Sequence, residues 1–293
     1  MQMDENKLTR RLFLAGAGSV TVGSSALSSS VVAKGRGKAK GNQNTGRKAF
    51  PPKGITEQTE GQRLGNGKVS TFSSVTPSGK PKYVGIHFSA AAQEGLPTPE
   101  ELEESGEGVQ VHGKWSKPYR LKLPDNVPAP FEYVGFAWNP QGHPPDDVWG
   151  YPHFDLHFYL EDAATVGEIG PGTIEGLSDQ RLPDGYFAAE DGAIVPNMGG
   201  HLAPKDAPEF NGGDFSNTLI WGAADVDGDG GYENHFIEPM ITTEYFSDLT
   251  GVDRNPIAQP AEYSYDGWYP TSYAVRDLGN SGYAVVLESF VEV

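Results

Sequence analysis

The chain has 293 residues and no cysteine, which excludes a disulfide scaffold and a lipid-anchored cysteine. It carries 39 acidic and 22 basic residues, a net charge of −17. Residues 1–48 hold nine Lys and Arg against two Asp and Glu, which leaves 13 against 37 for residues 49–293. We expect such an acidic domain to stay soluble in strong salt, as in a salt-loving host, and not to bind nucleic acid.

Residues 1–33 have the features of an export signal. Arg10 and Arg11 precede a mildly apolar stretch rich in Gly, Ala and Ser. Twin arginines at this position are typical of a twin-arginine (Tat) signal peptide, which predicts an extracellular or cell-surface protein. Residues 34–66, which begin with a basic, Gly-rich tract, are predicted to be a disordered linker. No later segment approaches the roughly 20 apolar residues of a spanning helix, so we expect no transmembrane segment in the mature chain.

Residues 67–293 are predicted to form one mainly β domain, an antiparallel sandwich or barrel-like fold with one or two short helices. The 38 glycines and 23 prolines, and the absence of long amphipathic patterns, are typical of many short strands joined by turns. Thr98, Pro99 and Glu101 have the spacing of a capping box and predict the start of one short helix. The predicted strands are 82–89, 109–115, 132–138, 153–161, 218–223, 234–240 and 282–293.

The strand predicted at 153–161 carries the densest chemistry in the chain. His153, Asp155, His157 and Tyr159 alternate with apolar residues, so the polar residues share one face. Residues two apart on a strand are about 6.6 Å apart and can bind one ion, whereas residues four apart, at about 13 Å, cannot. An undistorted strand therefore offers Asp155 with either histidine, but not all three. The alternative is a polar sheet face in contact with water.

Two later segments supply further ligand types. Pro196-Asn-Met-Gly-Gly-His201 predicts a tight turn that fixes the position of His201. Glu238 shares a predicted strand face with Phe236 and Met240. A carboxylate in apolar surroundings needs a cation, a proton or hydrogen-bond donors, so Glu238 is a candidate ligand or general base. Its alternative role is to cap a turn at the end of the strand.

Three other segments contain a histidine or a run of aspartates. His235 is predicted to lie on the strand face opposite Glu238, together with Ile237. His143 lies in a proline-rich loop that either covers the His/Asp/His strand or simply connects two strands. The spacing of Asp225, Asp227, Asp229 and Gly230 matches the first half of a calcium loop, but Phe236 stands where the bidentate glutamate belongs. This segment therefore predicts a solvated hairpin rather than a calcium site.

Four motifs, in order, resemble an uncharacterised family of exported proteins typified by a sigma-E-controlled secreted protein of Thermus. They are Gly142-His-Pro-Pro, Pro152-His-Phe-Asp-Leu-His-Phe-Tyr, Pro196-x-Met-Gly-x-His and Glu238-Pro-Met-Ile-Thr. The resemblance spans residues 68–250 and implies a β-rich domain that assembles into a ring-like homo-oligomer, without an assigned activity. A looser likeness to cupins concerns the set of ligands only, because here Glu238 follows His201 instead of preceding it.

The sequence therefore predicts an exported acidic β-domain that binds a divalent transition metal. The candidate ligands are His153, Asp155, His157, His201 and Glu238, with Asp155 either a ligand or the residue that orients one. Imidazole and carboxylate ligands suit Zn²⁺, iron, Mn²⁺ or Ni²⁺, and a catalytic role would use the ion to polarise a substrate or activate water. The alternative is a non-catalytic envelope or stress-related protein that functions as a homo-oligomer.

Overall fold

The computed structural model describes residues 50–111 and 113–293. The predicted export signal, residues 1–33, and the start of the predicted linker lie outside these residues. The described residues belong to one compact unit. No helix in the described part of the chain combines the length and the apolar character that a membrane crossing requires.

The described residues form seventeen strands, four short α-helices and three single turns of 3-10 helix. In chain order the strands are β1 (Thr56–Gln58), β2 (Gln62–Leu64), β3 (Gly67–Val75), β4 (Pro81–Phe88), β5 (Val109–Val111), β6 (Lys114–Lys122), β7 (Tyr133–Asn139), β8 (His153–Tyr159), β9 (Gly172–Thr173), β10 (Tyr186–Ala188), β11 (Ala193–Val195), β12 (Gly199–Pro204), β13 (Asn217–Ala224), β14 (Glu233–Thr242), β15 (Val252–Pro256), β16 (Trp268–Asp277) and β17 (Tyr283–Glu292). The α-helices are α1 (Pro99–Ser105), α2 (Asp146–Trp149), α3 (Ala163–Gly167) and α4 (Thr243–Asp248).

The strands form two curled antiparallel sheets, which confirms the predicted sandwich or barrel-like class. The first sheet has seven strands in the order β1-β3-β4-β17-β16-β15, with β2 paired to β3. The second has ten, in the order β5-β6-β7-β8-β14-β13-β12-β11-β9, with β10 paired to β12. The first and last parts of the described chain therefore make one sheet, and the middle makes the other.

The main core lies between the two sheets. Phe154, Leu156 and Phe158 of β8 are all fully buried there, as the period-two alternation predicts. The Phe154 ring packs against Phe88 of the first sheet at a centroid distance of 5.4 Å. These contacts join the two sheets into one hydrophobic core.

A second, smaller core covers the other face of the ten-stranded sheet. Trp149, Tyr159, Phe236 and Met240 belong to it, and all are almost fully buried. As a result every residue of β8 is buried, including His153 and its polar neighbours on the same face. The alternative of a polar face in water is therefore wrong, because the curled sheet and the segments that follow it cover this face.

Most of the predicted elements are present, with small shifts at their ends. Helix α1 begins with the predicted capping box, in which Thr98 and Glu101 each accept a hydrogen bond from the other's backbone N–H. The predicted strand 109–115 is instead the hairpin β5–β6, which turns at Gly113 with φ of +80°. The structure has four α-helices where one or two were predicted, and each of the other three has six residues or fewer.

The predicted linker, 34–66, extends too far along the chain. Strands β1 and β2 lie inside this range and both pair with β3. The Thr56 and Ser74 hydroxyls are 2.7 Å apart in hydrogen-bond contact, and the Gln58 side chain donates to the Ser70 hydroxyl at 2.8 Å. Side-chain hydrogen bonds of this kind order a polar segment that has few apolar residues to bury.

Candidate metal centre

The buried polar face of β8 lies between β7 and β14. On one side Asn139 pairs with His153 and Gly135 with His157. On the other side, Ile237 of β14 pairs with Phe158, and Met240 pairs with Asp155. This antiparallel register places Glu238 opposite His157. The absence of a side chain at Gly135 matters here, because a Cβ at this position would come within 2.7 Å of the Tyr159 ring. The register thus brings Glu238 next to the histidines of β8.

The predicted ligands separate into two neighbouring groups. His157, His201 and Glu238 form the glutamate triad, and His143, His153 and Asp155 form the aspartate triad. Within each triad, one potential ligand atom per residue lies within 4.8 Å of the others. The strand argument that His153 and His157 cannot bind the same ion agrees with this division. Asp155 lies with His153, not with His157.

In the glutamate triad the polar atoms of three side chains converge without forming hydrogen bonds to one another. His157 Nε2 is 3.2 Å from Glu238 Oε1, and His201 Nε2 is 3.8 Å from Glu238 Oε2. Yet His157 Nε2 and Glu238 Oε2 have no hydrogen-bond partner among the described residues. Two ligands bound tetrahedrally with bonds of about 2.0–2.1 Å are roughly 3.4 Å apart. The spacing therefore fits three ligands around one ion.

The aspartate triad has a similar arrangement around one carboxylate. His153 Nε2 lies 3.0 Å from Asp155 Oδ1, and His143 Nε2 lies 3.7 Å from Asp155 Oδ2. Asp155 Oδ1 has no hydrogen bond within the described chain, whereas Oδ2 accepts one of 2.6 Å from the Asn139 amide. The same amide nitrogen is 3.3 Å from His153 Nε2. Asn139 therefore fixes one carboxylate oxygen and leaves the other facing His153.

Backbone carbonyls orient both imidazoles of the aspartate triad. His153 Nδ1 donates to the Tyr151 carbonyl at 2.7 Å, and His143 Nδ1 donates to the Pro144 carbonyl at 3.0 Å. A carbonyl can only accept, so Nδ1 carries the proton and Nε2 of the neutral ring presents its lone pair. In metal sites the ring nitrogen opposite the ligand atom is usually held in this way. In the glutamate triad, the backbone of Gly135 acts to raise the pKa of the His157 ring, against the effect of burial.

Burial favours the neutral forms of the glutamate triad. It lowers the pKa of His157 to about 4 and that of His201 to about 3. Burial also raises the pKa of Glu238 well above its usual range, and the charges of Asp155 and Glu190 add to this effect. Without a cation, burial therefore favours two neutral imidazoles and a carboxyl group that keeps its proton. A metal ion would take the place of that proton.

The aspartate triad favours charge. Burial opposes ionisation of Asp155, but His153 and His143 outweigh it and hold the pKa of Asp155 well below its usual range. Burial likewise opposes protonation of His143, but its contact with Asp155 raises the pKa of His143 above its usual value. The two triads therefore differ in the charge state that their surroundings favour, although they contain the same types of residue.

A small cavity of about 40 Å³ joins the two triads. Its wall includes His201 of the glutamate triad, His143 and Asp155 of the aspartate triad, and the side chains of Asn139 and Glu190. A space of this size holds a few water molecules, at about 10–15 Å³ for each in comparable measures. Any ligand that reaches both triads at this point is therefore small.

The predicted tight turn before His201 is confirmed as the β11–β12 hairpin. Asn197 has φ of +58° and Gly199 has φ of +128°, and His201 is the third residue of β12. A Cβ at Gly199 would lie 2.2 Å from His235 Nε2. The glycine thus lets the turn pack directly on an imidazole beside the glutamate triad.

The prediction that His235 lies on the face opposite Glu238 is wrong. A register shift between Gly222 and Ala223 leaves His235 without a partner on β13, so the alternation of β14 breaks there. The His235 ring lies 5.8 Å from that of Tyr159 and 4.9 Å from that of Phe236, both in the second core. Burial lowers the pKa of His235 to about 3, so its ring is neutral.

Two residues at the cavity were not among the predicted ligands. The proline-rich loop does cover the strand, because the His143 ring lies 4.8 Å from that of His153. A hydrogen bond from the backbone N–H of His143 to the Trp149 carbonyl closes this loop. Glu190 lies in the turn between β10 and β11. Proline and histidine in one loop were a signal for His143, whereas nothing in the sequence around Glu190 separates it from other surface glutamates.

The acidic loop between β13 and β14 forms the predicted hairpin. Asp225, Asp227 and Asp229 have carboxylate oxygens within 4.8 Å of one another. Each of them also accepts hydrogen bonds from backbone amides of the same loop. These carboxylates are largely exposed to solvent. Their hydrogen bonds to the backbone stabilise the turn.

The six residues of the two triads come from three strands, β8, β12 and β14, and from the loop that contains His143. Comparisons of the chain with protein-family models, with curated proteins and with solved structures found no match. The buried clusters of histidine and carboxylate could hold a metal ion. The geometry of these residues is the basis for the proposal that follows.

Proposed function

We propose that this protein is an exported, acidic β-domain protein that binds a divalent transition metal through His157, His201 and Glu238. One observation carries the proposal: three buried donor groups from three different strands converge at ligand spacing without bonding to each other. Burying a carboxyl group without hydrogen bonds is costly. A cation would bind all three groups at once.

The donor set narrows the choice of ion. Two imidazoles and one carboxylate suit Zn²⁺, iron, Mn²⁺ or Ni²⁺ better than Ca²⁺, which prefers six to eight oxygen ligands. Three protein ligands also leave at least one coordination position for water, as in catalytic zinc sites. Since His201 lines the cavity, a water molecule at this position would have room. A reaction at this centre would use the ion to activate that water or to polarise a small substrate.

Export and assembly are separate parts of the proposal. The twin arginines Arg10 and Arg11 and the acidic surplus of residues 49–293 support export into a salty medium. The homo-oligomer is a prediction from family resemblance, and light scattering of the purified chain would measure the number of subunits. Metal binding by the glutamate triad does not depend on either.

Elemental analysis of protein purified without chelator or affinity tag tests the metal directly. We expect stoichiometric transition metal in the wild type, and loss of the ion from the glutamate triad in both His201→Gln and Glu238→Gln. Glu209→Gln is a matched control, since Glu209 is also buried but lies outside both triads, where it accepts a 2.5 Å hydrogen bond from Thr218. Metal-free wild-type protein that cannot be loaded with Zn²⁺, Mn²⁺, Fe²⁺ or Ni²⁺ would contradict the proposal.

A further inference from the structure

The two triads are neighbours on one buried face. Asp155 and His157 are two residues apart on β8 and point to the same side, so their Cα atoms are about 6.6 Å apart. One cavity wall includes His201 of the glutamate triad together with His143 and Asp155 of the aspartate triad. The cavity therefore touches a residue of each triad, and a ligand within it could reach an ion bound at either one.

Glu190 is the carboxylate that the cavity wall adds to the two triads. Its backbone has φ of +52°, and that of the next residue, Asp191, has φ of +54°. Left-handed backbone at a non-glycine residue costs of order 1–3 kcal/mol, so the surrounding structure has to hold this turn. The turn places Glu190 on the cavity wall, where its charge acts on both His143 and Glu238.

Charge balance explains why a third carboxylate belongs there. Two divalent cations carry four positive charges, while Asp155 and Glu238 supply two negative charges. A buried excess of charge is strongly unfavourable. Glu190 would reduce the excess to a single charge, and a hydroxide ion in the cavity of about 40 Å³ would cancel it. The cavity has room for this ion and for little more.

We infer that the two triads form a single two-ion centre, in which Glu190 is the carboxylate between the ions and the cavity holds water or hydroxide. The inference rests on the proposed function of the glutamate triad and adds a second ion at the aspartate triad. Paired cations about 3.5–4 Å apart are a common means of activating water for attack on a substrate.

Zinc stoichiometry separates the second ion from the first. We expect chelator-stripped protein, reloaded with Zn²⁺ and dialysed, to hold two ions per chain. His201→Gln should retain one ion, bound by the aspartate triad, and His143→Gln should retain one ion, bound by the glutamate triad. His143 lies on a loop, so its replacement should leave the fold intact. Circular dichroism and thermal unfolding of each variant would verify folding.

The possible results distinguish the two proposals. One ion per chain, lost in His201→Gln but kept in His143→Gln, supports the proposed function and overturns the two-ion centre. One ion per chain that is lost only in His143→Gln would be bound by the aspartate triad. This result would overturn both metal binding by the glutamate triad and the two-ion centre. No zinc at all overturns both proposals.

The role of Glu190 needs a readout other than stoichiometry. With Mn²⁺ as the probe, two ions that share a carboxylate should give an exchange-coupled electron paramagnetic resonance signal. We expect Glu190→Gln to weaken binding of the second ion about tenfold or more and to remove the coupled signal. Asp191→Asn, which removes a charge from an exposed neighbour in the same turn, should change neither. A Glu190→Gln protein with wild-type affinity and coupling would overturn the bridging role.

Discussion

His157 Nε2 and Glu238 Oε1 lie 3.2 Å apart on adjacent strands, yet His157 Nε2 forms no hydrogen bond within the described chain. Their side chains face a common point rather than each other. Burial lowers the pKa of His157 and raises that of Glu238, so it favours the neutral form of both groups in the absence of a cation. This arrangement lets a metal ion bind without first breaking an ion pair.

Replacing Glu238 by glutamine should separate metal binding from folding. Glutamine has the shape of the protonated glutamate, so we expect the metal-free variant to melt within a few degrees of the metal-free wild type. The wild type should gain about 2.7 kcal/mol from metal at 100 times its dissociation constant, a rise of roughly 5–10 °C for a domain of this size. Calorimetry with chelator and with Zn²⁺ measures both values.

The variant should lose most of this rise, and Glu209→Gln should keep it. Glu209 is a suitable control because it is also a buried glutamate. It accepts a hydrogen bond from the Thr218 hydroxyl, and the amide oxygen of a glutamine at this position could accept the same bond. If Zn²⁺ stabilised Glu238→Gln as much as the wild type, Glu238 would not be a ligand.

Period-two alternation was enough to predict the functional face of β8. It placed His153, Asp155 and His157 on one side, and strand spacing predicted that the two histidines could not share an ion. The same reasoning failed at His235, because a register shift in one strand reverses the face of a residue and leaves no mark in the hydrophobic pattern. Sequence-based reasoning therefore works here only where the strands are regular.

Contacts between segments that are distant along the chain could not be predicted from the sequence. The burial of the β8 face depends on the curl of a ten-stranded sheet, and no local pattern encodes that curl. Glu190 reaches the cavity through a left-handed turn made of Glu and Asp, without the glycine that usually indicates such a backbone. The sequence therefore predicted the triad residues on strands better than the cavity residue on a loop.

The stability of the metal-free protein should be greatest near pH 6.5. Burial lowers the pKa values of His157, His201 and His235 to about 3–4, so below pH 6.5 the unfolded chain binds protons that the folded chain does not. Glu238 has the opposite effect, because its raised pKa lets the folded chain keep a proton that the unfolded chain releases above about pH 4.5. The net difference of up to two protons lowers stability by at most about 2–3 kcal/mol per pH unit on acidification.

On the alkaline side Glu238 should dominate the pH dependence. Above pH 6.5 the histidines of the unfolded chain are mostly neutral, and as long as the pH is below the raised pKa of Glu238, its retained proton makes stability fall by up to about 1.4 kcal/mol per unit. The raised pKa of His143 adds to this fall. Urea unfolding in chelator from pH 4.5 to 9 measures both sides. Glu238→Gln should flatten the alkaline side, and a wild-type curve without a maximum would contradict the assigned protonation states.

Gly199→Ala should destabilise the fold and weaken metal binding together. The new Cβ would lie 2.2 Å from His235 Nε2, on a backbone with φ of +128°. We expect a cost of about 2–5 kcal/mol from the clash and the strained backbone, with lower Zn²⁺ affinity because His201 is two residues away. Gly212→Ala is the control, since Gly212 has φ of +82° but no neighbour within 4 Å, and it should cost only about 1–2 kcal/mol. Equal losses in the two variants, by chemical denaturation, would show that the contact with His235 is unimportant.

Trp149 should report metal binding through its fluorescence. Its ring centroid lies 5.6 Å from that of His143 and 6.5 Å from that of His201, so it is close to a ligand of each triad. A paramagnetic ion such as Cu²⁺ quenches indole fluorescence over short distances, and we expect Trp149→Phe to lose most of the quenching seen on titration. Trp268→Phe, on the other sheet, should retain it. Because Trp149 is not a ligand, the amount of Cu²⁺ bound should be unchanged in both variants, and quenching that survives Trp149→Phe would place the bound ion away from the two triads.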